Sequence, residues 1–453
     1  MTTTSPLRAP NLLPVGSLTV ALALGVVLPT VTASFPGRDI ALFLVAAVMV
    51  WLAWVRPRLS IILVVGTFVF SALVRRLLPA LDPTADLAAI LPFLVALPLA
   101  AHGVRMTKPV GAVLLLAWIT IRAAFSFDVP LAGLAGWLAL AVPLLAAFGI
   151  ARIPSGLSTF ARATVACGSI AALYGILQYF FLFSWDVEWL MRADLNSAGQ
   201  PGSTNFRPFS TLPAPGTAAT LSAVVILILV FRKELVWRSW LFRAVALASS
   251  STFLLLTQVR SVWLALVVSL LVGAFAARGR PAQQILPLSA FVVAVVLVLP
   301  LGEVVVDRLD TFSNLQDDVS YRNRIGTLAK AGTIVSPLGL GVGQFSSARR
   351  VREANPVDNG YLVILGEVGV VGAVLMTCVL AWLVRRSRPP EYAFWAMLLA
   401  SNATGFAFGG LTGLLLWALA GVGRPGATET QSEHRMPTPA RSISPPLGSP
   451  TGR

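Results

Sequence analysis

Runs of about 20 apolar residues, each long enough to cross a bilayer as a helix, alternate along this chain with short breaks that carry its charges. They predict helices at 12–31, 39–55, 59–79, 86–102, 109–125, 130–150 and 158–183. After a polar gap come 213–231, 240–257, 261–277 and 284–301. A second, longer gap precedes 360–384, and the stretch 391–421 has room for a hairpin of two short helices bent at Gly409-Gly410. The fold class is therefore all-α: a polytopic helical membrane protein of about 12–14 transmembrane helices with a long extracytoplasmic loop.

Composition agrees, since 56% of the 453 residues are hydrophobic and only 12% are charged. Mean hydropathy is +0.80, and soluble domains carry about a quarter of their residues charged. The net charge of +15 would suggest a nucleic-acid partner in a soluble protein. Here it reads as the Lys and Arg excess of cytoplasmic loops, so no nucleic acid is expected. Arg56/Arg58, Arg105/Lys108, Arg232/Lys233/Arg238, Arg278/Arg280 and Arg385/Arg386/Arg388 all fall on one side if helices alternate. That side is the cytoplasm of an inner (plasma) membrane protein with both termini inside.

The expected organisation is a cytoplasmic N-terminus at 1–11, a transmembrane domain at 12–423 with outer loops 184–212 and 302–359, and a tail at 424–453. Rich in Pro, Ser, Thr and Arg, the tail has little to bury and reads as a disordered cytoplasmic extension. The first run ends Val31-Thr32-Ala33, weakly like a signal cleavage site. Its long apolar core and the distance to Arg8 read instead as an uncleaved first helix. Cys167 and Cys378 each sit in an apolar run, and His102 and His434 stand alone, so neither a disulfide framework nor a metal centre is expected.

Candidate chemistry gathers in the outer loops. Around Ser320-Tyr321-Arg322-Asn323-Arg324-Ile325, apolar residues recur at helical spacing among cations, which predicts a short amphipathic helix at the outer interface. Its cations either bind substrate or pair with lipid phosphates. Arg260 stands at the tight turn of an apolar hairpin, beside Thr257, Gln258 and Ser261. Charge there is costly and points to function, although an arginine at a helix end also snorkels to the interface. Arg207 precedes a helix in Asn205-Phe206-Arg207-Pro208-Phe209-Ser210-Thr211, which by itself reads as a proline-stiffened entry into the bilayer. In Pro337-Leu338-Gly339-Leu340-Gly341-Val342-Gly343, the glycines allow backbone amides to approach a phosphate. No Lys-Ser/Thr pair follows, so a nucleotide loop is not indicated. Asp358 either serves chemistry or caps the helix starting near Asn359. Glu367 is an intramembrane acid among Gly366, Gly369 and Gly372, which favour close helix packing.

In this order, the pieces resemble the O-antigen ligase and Wzy-type polysaccharide polymerase family. Thr257-Gln258-Val259-Arg260-Ser261 is similar to the family's hairpin pattern. Arg324, Pro337 to Gly343, Asp358 to Leu362 and Glu367 to Gly372 are similar to its later pattern, and Arg207-Pro208-Phe209-Ser210-Thr211 to its helix entry. The likeness runs roughly from Arg207 to Trp417. It implies a membrane glycosyltransferase-like fold, a glycan donor on undecaprenyl diphosphate at the outer leaflet, an acceptor sugar hydroxyl on a glycan or glycolipid, and neither cofactor nor metal. It also implies that Arg260 and Arg324 meet the charge of the departing diphosphate, with Arg207 and Arg322 next. Asp358 would be the base for the acceptor hydroxyl, and Gly341, Gly343, Asn359 and Tyr361 would line the substrate. Where ligases of the family carry histidine this chain has Asp358, which inclines the reading toward a polymerase rather than a lipid A ligase. The rival class is a multispanning transporter or flippase for a lipid-linked or anionic substrate, whose mark would be paired ionisable residues near the membrane midplane.

Overall fold

The computed structural model describes residues 38–77, 82–104, 110–125, 130–193, 198–199, 206–277, 336–343, 359–403, 405 and 407–421. Among them the chain forms thirteen α-helices and no strand. These are α1 (Arg38–Val55), α2 (Pro57–Leu77), α3 (Asp82–Val104), α4 (Val110–Ala124), α5 (Pro130–Arg152), α6 (Gly156–Phe181) and α7 (Ser184–Ala193). They continue with α8 (Pro215–Phe231), α9 (Trp240–Leu256), α10 (Arg260–Ala277), α11 (Gly360–Arg386), α12 (Tyr392–Asn402) and α13 (Gly410–Leu419). Five helical stretches among the described residues are long and apolar enough to cross a membrane: α2, the Gly133–Arg152 part of α5, α6, α10 and α11. The protein is a polytopic helical membrane protein. The apolar runs predicted at 12–31 and 284–301, the amphipathic helix around 320–334 and the tail from Arg424 lie outside the described residues.

Helices that are apolar on every side become the centre, as expected where no polar face is left to solvate. In α8 every residue is buried except Gly216, Thr217 and Val230. Short α13 packs against α2, α5, α6, α8 and α12, and its Trp417 is stacked on Phe408. At the periphery, α10 shows the other outcome of the same composition. Its Val262, Ala265, Leu266, Ser269 and Gly273 face the bundle, while Leu264, Val267, Leu271 and Phe275 are exposed at helical spacing. Lipid accepts that outward stripe as readily as the core accepts the inward one.

Two local differences from the predicted layout matter later. The polar gap at 184–212 is not wholly loop, because it begins with α7. The hairpin at the end of the chain opens earlier than Gly409: α12 stops at Asn402, and Gly409 is the N-cap of α13. At one end of the bundle Arg232 pairs with Glu234 at 2.9 Å and with Glu391 at 3.6 Å, and Glu391 also accepts the Arg388 amide at 2.8 Å. Arg232 and Arg388 come from two of the basic breaks and meet through Glu391. The segment 206–214, the turn 257–259 and the start of α11 lie at the other ends of the helices that lead to these breaks, and the run 336–343 lies against α11 nine residues in.

Candidate functional site

Helix α11 is interrupted. Gly369 takes φ 71° and ψ −176°, inside a helix whose other residues carry it from Gly360 to Arg386. The break lies nine residues in, about 13 Å along the axis at 1.5 Å per residue. Gly366 to Gly369 are buried, so their backbone groups must be met by the protein. Segment 336–343 does so by lying in the gap. The Leu340 and Gly341 amides donate to the Gly366 and Glu367 carbonyls at 2.7 and 3.1 Å, and the Val370 and Val371 amides donate to the Ser336 and Pro337 carbonyls at 3.2 and 3.3 Å. The two backbones meet where Gly339 (φ 79°) faces Gly369, and a Cβ on either would overlap backbone atoms of the other strand of the clasp.

Helix α4 closes the clasp from the side. Trp118 Nε1 donates to the Val368 carbonyl at 2.8 Å, and Arg122 Nη2 donates to the Gly339 carbonyl, also at 2.8 Å. Gly343 passes directly over Gly136 of α5. The glycine-rich run is therefore held by backbone pairing, and the Gly341 amide is engaged inside the protein at Glu367.

The start of α11 is capped by Asn359, whose Oδ1 accepts from the Tyr361 and Leu362 amides at 3.0 and 3.1 Å. Its Nδ2 donates to the Ala403 carbonyl at 3.3 Å. Tyr361 reaches the same neighbour helix through its hydroxyl, which donates to the Leu399 carbonyl at 2.7 Å. The cap of this helix is thus Asn359, so the capping role considered for Asp358 is filled by the next residue.

The third segment, 206–211, rests on buried polar side chains. Arg76, near the end of α2, pairs with Asp186 of α7 at 2.5 Å, both side chains being 0% exposed. Its Nη2 donates to the Ser210 carbonyl at 2.5 Å and its Nε to the Ala72 carbonyl at 3.1 Å. Tyr174 donates to the second Asp186 oxygen at 2.8 Å and accepts from Trp185 Nε1 at 2.8 Å. Gln178 Oε1 accepts the Phe209 and Ser210 amides at 3.0 and 2.8 Å, and the Ser210 hydroxyl donates to the Ala171 carbonyl. Ser210 adopts φ 57°, a left-handed conformation unusual for a residue with a side chain. Arg207 is half-buried, with its amide on the Ala198 carbonyl at 2.8 Å.

Arg260 opens α10 directly after the turn, where Thr257 and Gln258 are buried and Gln258 is left-handed at φ 53°. Of the residues singled out by sequence, Arg207, Arg260, Gly341, Gly343, Asn359 and Tyr361 are among the described residues, and Asp358, Arg322 and Arg324 are not. Sequence reading passed over Arg76, Arg122, Asp186, Tyr174, Gln178 and Trp118. For the two arginines a signal existed: each ends an apolar run on the side away from the basic breaks, the same costly placement that drew attention to Arg260.

Residues 244–377 match the family model described as O-antigen ligase. That span begins inside α9, takes in the Arg260 turn and the clasp, and ends within α11. No curated protein and no solved structure matches the chain. The match supports a role in glycan transfer or ligation at a membrane, with a lipid-linked glycan and an acceptor as the substrate classes the family implies.

Proposed function

We propose that this O-antigen ligase-like membrane protein transfers or polymerises a glycan at the outer leaflet, from an undecaprenyl-diphosphate-linked donor onto an acceptor sugar hydroxyl, as a polymerase-like rather than a lipid A ligase-like member. The observation that carries the reading is the ordered set inside the matched span, the Arg260 turn followed by the laced glycine run and the Asn359-capped helix. In this reaction the bond between the sugar C1 and the diphosphate oxygen breaks and a bond from C1 to the acceptor oxygen forms. The acceptor proton passes to Asp358, and undecaprenyl diphosphate leaves with the electron pair. Arginines suit the departing charge because they stay protonated and bind phosphate with two parallel donors. Arg260 and Arg324 take that role, with Arg207 and Arg322 beside them, and the reading calls for no cofactor or metal. The membrane is the cell's inner (plasma) membrane, with 184–212 and 302–359 on its outer side.

Three variants test it. Arg260→Ala and Arg260→Lys are expected to accumulate unused lipid-linked glycan at normal expression, since lysine lacks the two-pronged contact. Asp358→Asn is expected to lose a hundredfold or more in transfer rate, the usual worth of a general base. Because Asn359 is the cap, that loss would not be a capping effect. Wild-type product from a well-expressed Arg260 variant removes Arg260 from the site. Cysteines placed singly at Ser197 and Ser347 should react with an impermeant thiol reagent in intact cells, and labelling only after lysis overturns the orientation.

A second reading, a transporter or flippase, draws on the interruption of α11, since discontinuous helices line transport sites. Here, however, the gap is filled by the chain's own backbone. Purified protein with donor and acceptor in detergent separates the readings: glycan transfer without a second compartment is expected, and its absence alongside vesicle translocation of the lipid-linked donor favours the transporter.

A further inference from the structure

Segment 206–211 carries Arg207 but makes little regular structure of its own. What shapes it comes from α2, α6 and α7, all before residue 244 and so outside the matched span. Arg76 makes four contacts at once: its guanidinium bonds Asp186, the Ser210 carbonyl and the Ala72 carbonyl, and it lies over the Phe209 ring at 4.8 Å. Gln178 Oε1 accepts the consecutive amides of Phe209 and Ser210. Asp186 is in turn oriented by Tyr174, whose hydroxyl is held by Trp185. The left-handed Ser210 is the residue these contacts converge on, and it lies three positions from Arg207.

A packing role alone would not call for this arrangement. Removing two full charges from water is expensive, and a buried ion pair is generally no more stabilising than well-packed apolar residues of the same size. What such a pair supplies is direction, since a guanidinium fork fixes its partners in a plane. We infer that Arg76 and Asp186 are positioning residues for Arg207: the pair, through the Ser210 carbonyl, sets the conformation of 206–211 and so the place at which the Arg207 guanidinium meets an anionic substrate group. The catalytic consequence rests on the proposed role of Arg207 in holding the donor diphosphate; the conformational one does not.

The test is the paired replacement Arg76→Met with Asp186→Leu, which removes both charges together and leaves neither buried alone. Two readouts are taken. In a background with Cys167→Ala and Cys378→Ala, Arg207→Cys reports the segment directly through its rate of modification by a charged methanethiosulfonate. In the chain that retains Arg207, transfer kinetics are measured at varied donor and varied acceptor. The expected result is normal insertion, at least a tenfold change in modification rate, and a rise of about tenfold to a hundredfold in KM for the lipid-linked donor with the acceptor KM unmoved, the scale on which misplacement of a binding group acts. An unchanged modification rate overturns the inference, whatever the activity. A changed rate with wild-type kinetics leaves the pair as the determinant of the segment and removes Arg207 from the proposed site, so the two failures are told apart. Should the paired variant not accumulate, Gln178→Met frees the Phe209 and Ser210 amides without stranding a charge and is read in the same two ways.

Discussion

Segments 336–343 and 206–211 both contain proline and neither is helical, yet they are held by opposite means. The first is laced backbone to backbone into the gap of α11, with Arg122 and Trp118 adding one hydrogen bond each from α4. The second is gripped by side chains, with a buried ion pair and a glutamine reaching to its carbonyl and amides. The two solve one problem, which is how to keep irregular backbone away from water without leaving its polar groups unmet. Backbone lacing demands that side chains be absent at the crossing point. A side-chain grip demands charges, but in principle tolerates their joint replacement.

That contrast is open to breaking. The largest effect is expected from Asp186→Ala, which strands the Arg76 charge in the interior and should cost about 3–5 kcal/mol in mixed-micelle unfolding. The joint Arg76→Met, Asp186→Leu replacement should restore most of that stability. A joint variant as unstable as the single one would show that the grip depends on its charges for folding itself. Next comes Gly369→Ala. A residue with a Cβ at positive φ and extended ψ costs about 1–3 kcal/mol, and forced overlap adds about 1–3 kcal/mol. Gly216→Ala is the matched control, since nothing lies within 4 Å of its Cβ, and it should melt with the wild type. Gly369→Ala melting like the control would mean that the clasp opens readily.

Arg122→Leu sharpens the comparison further, because it removes a charged donor from the clasp while leaving the lacing intact. Its cost should be about 1.5–3 kcal/mol, the range for a hydrogen bond to a charged group. Loss of folded protein would make the clasp as dependent on a side chain as the grip is. The smallest effect belongs to the helix start: Asn359→Ala should cost about 1 kcal/mol, and Asn359→Asp much less, since aspartate caps as well. Equal losses from the two would assign the effect to the Nδ2 contact with Ala403 instead of the cap.

Much of this part of the molecule was legible in the chain, and the illegible part has a common cause. Arg207 by itself reads as a proline-stiffened helix entry, but Arg260 stands out because a cation at the turn of an apolar hairpin breaks a simple pattern. Arg76 does so equally, but its meaning depends on Asp186, a hundred and ten positions away in a gap that reads as loop. Helix α7 was passed over because Ser184–Ala193 is ten residues long and polar, too short and too polar to stand out as a bilayer-crossing run. The glycines at 339, 341 and 343 announce special backbone, but they fit a phosphate-cradling loop and a clasp alike. Gly339 to Gly341 are laced against the break at Gly369, whose own signal in Glu367-Val368-Gly369 is that of a close-packing helix.

The sequence by itself determined the class of fold and the places of most described helices, because crossing a bilayer demands a length and an apolarity that can be counted along the chain. Tertiary structure alone decided which apolar faces meet protein and which meet lipid, since both are equally hydrophobic. It also decided that α11 is interrupted, and what fills the gap. Those outcomes depend on whether a distant segment brings donors and acceptors to a given carbonyl or amide, and no local pattern records the arrival of a partner more than twenty residues away.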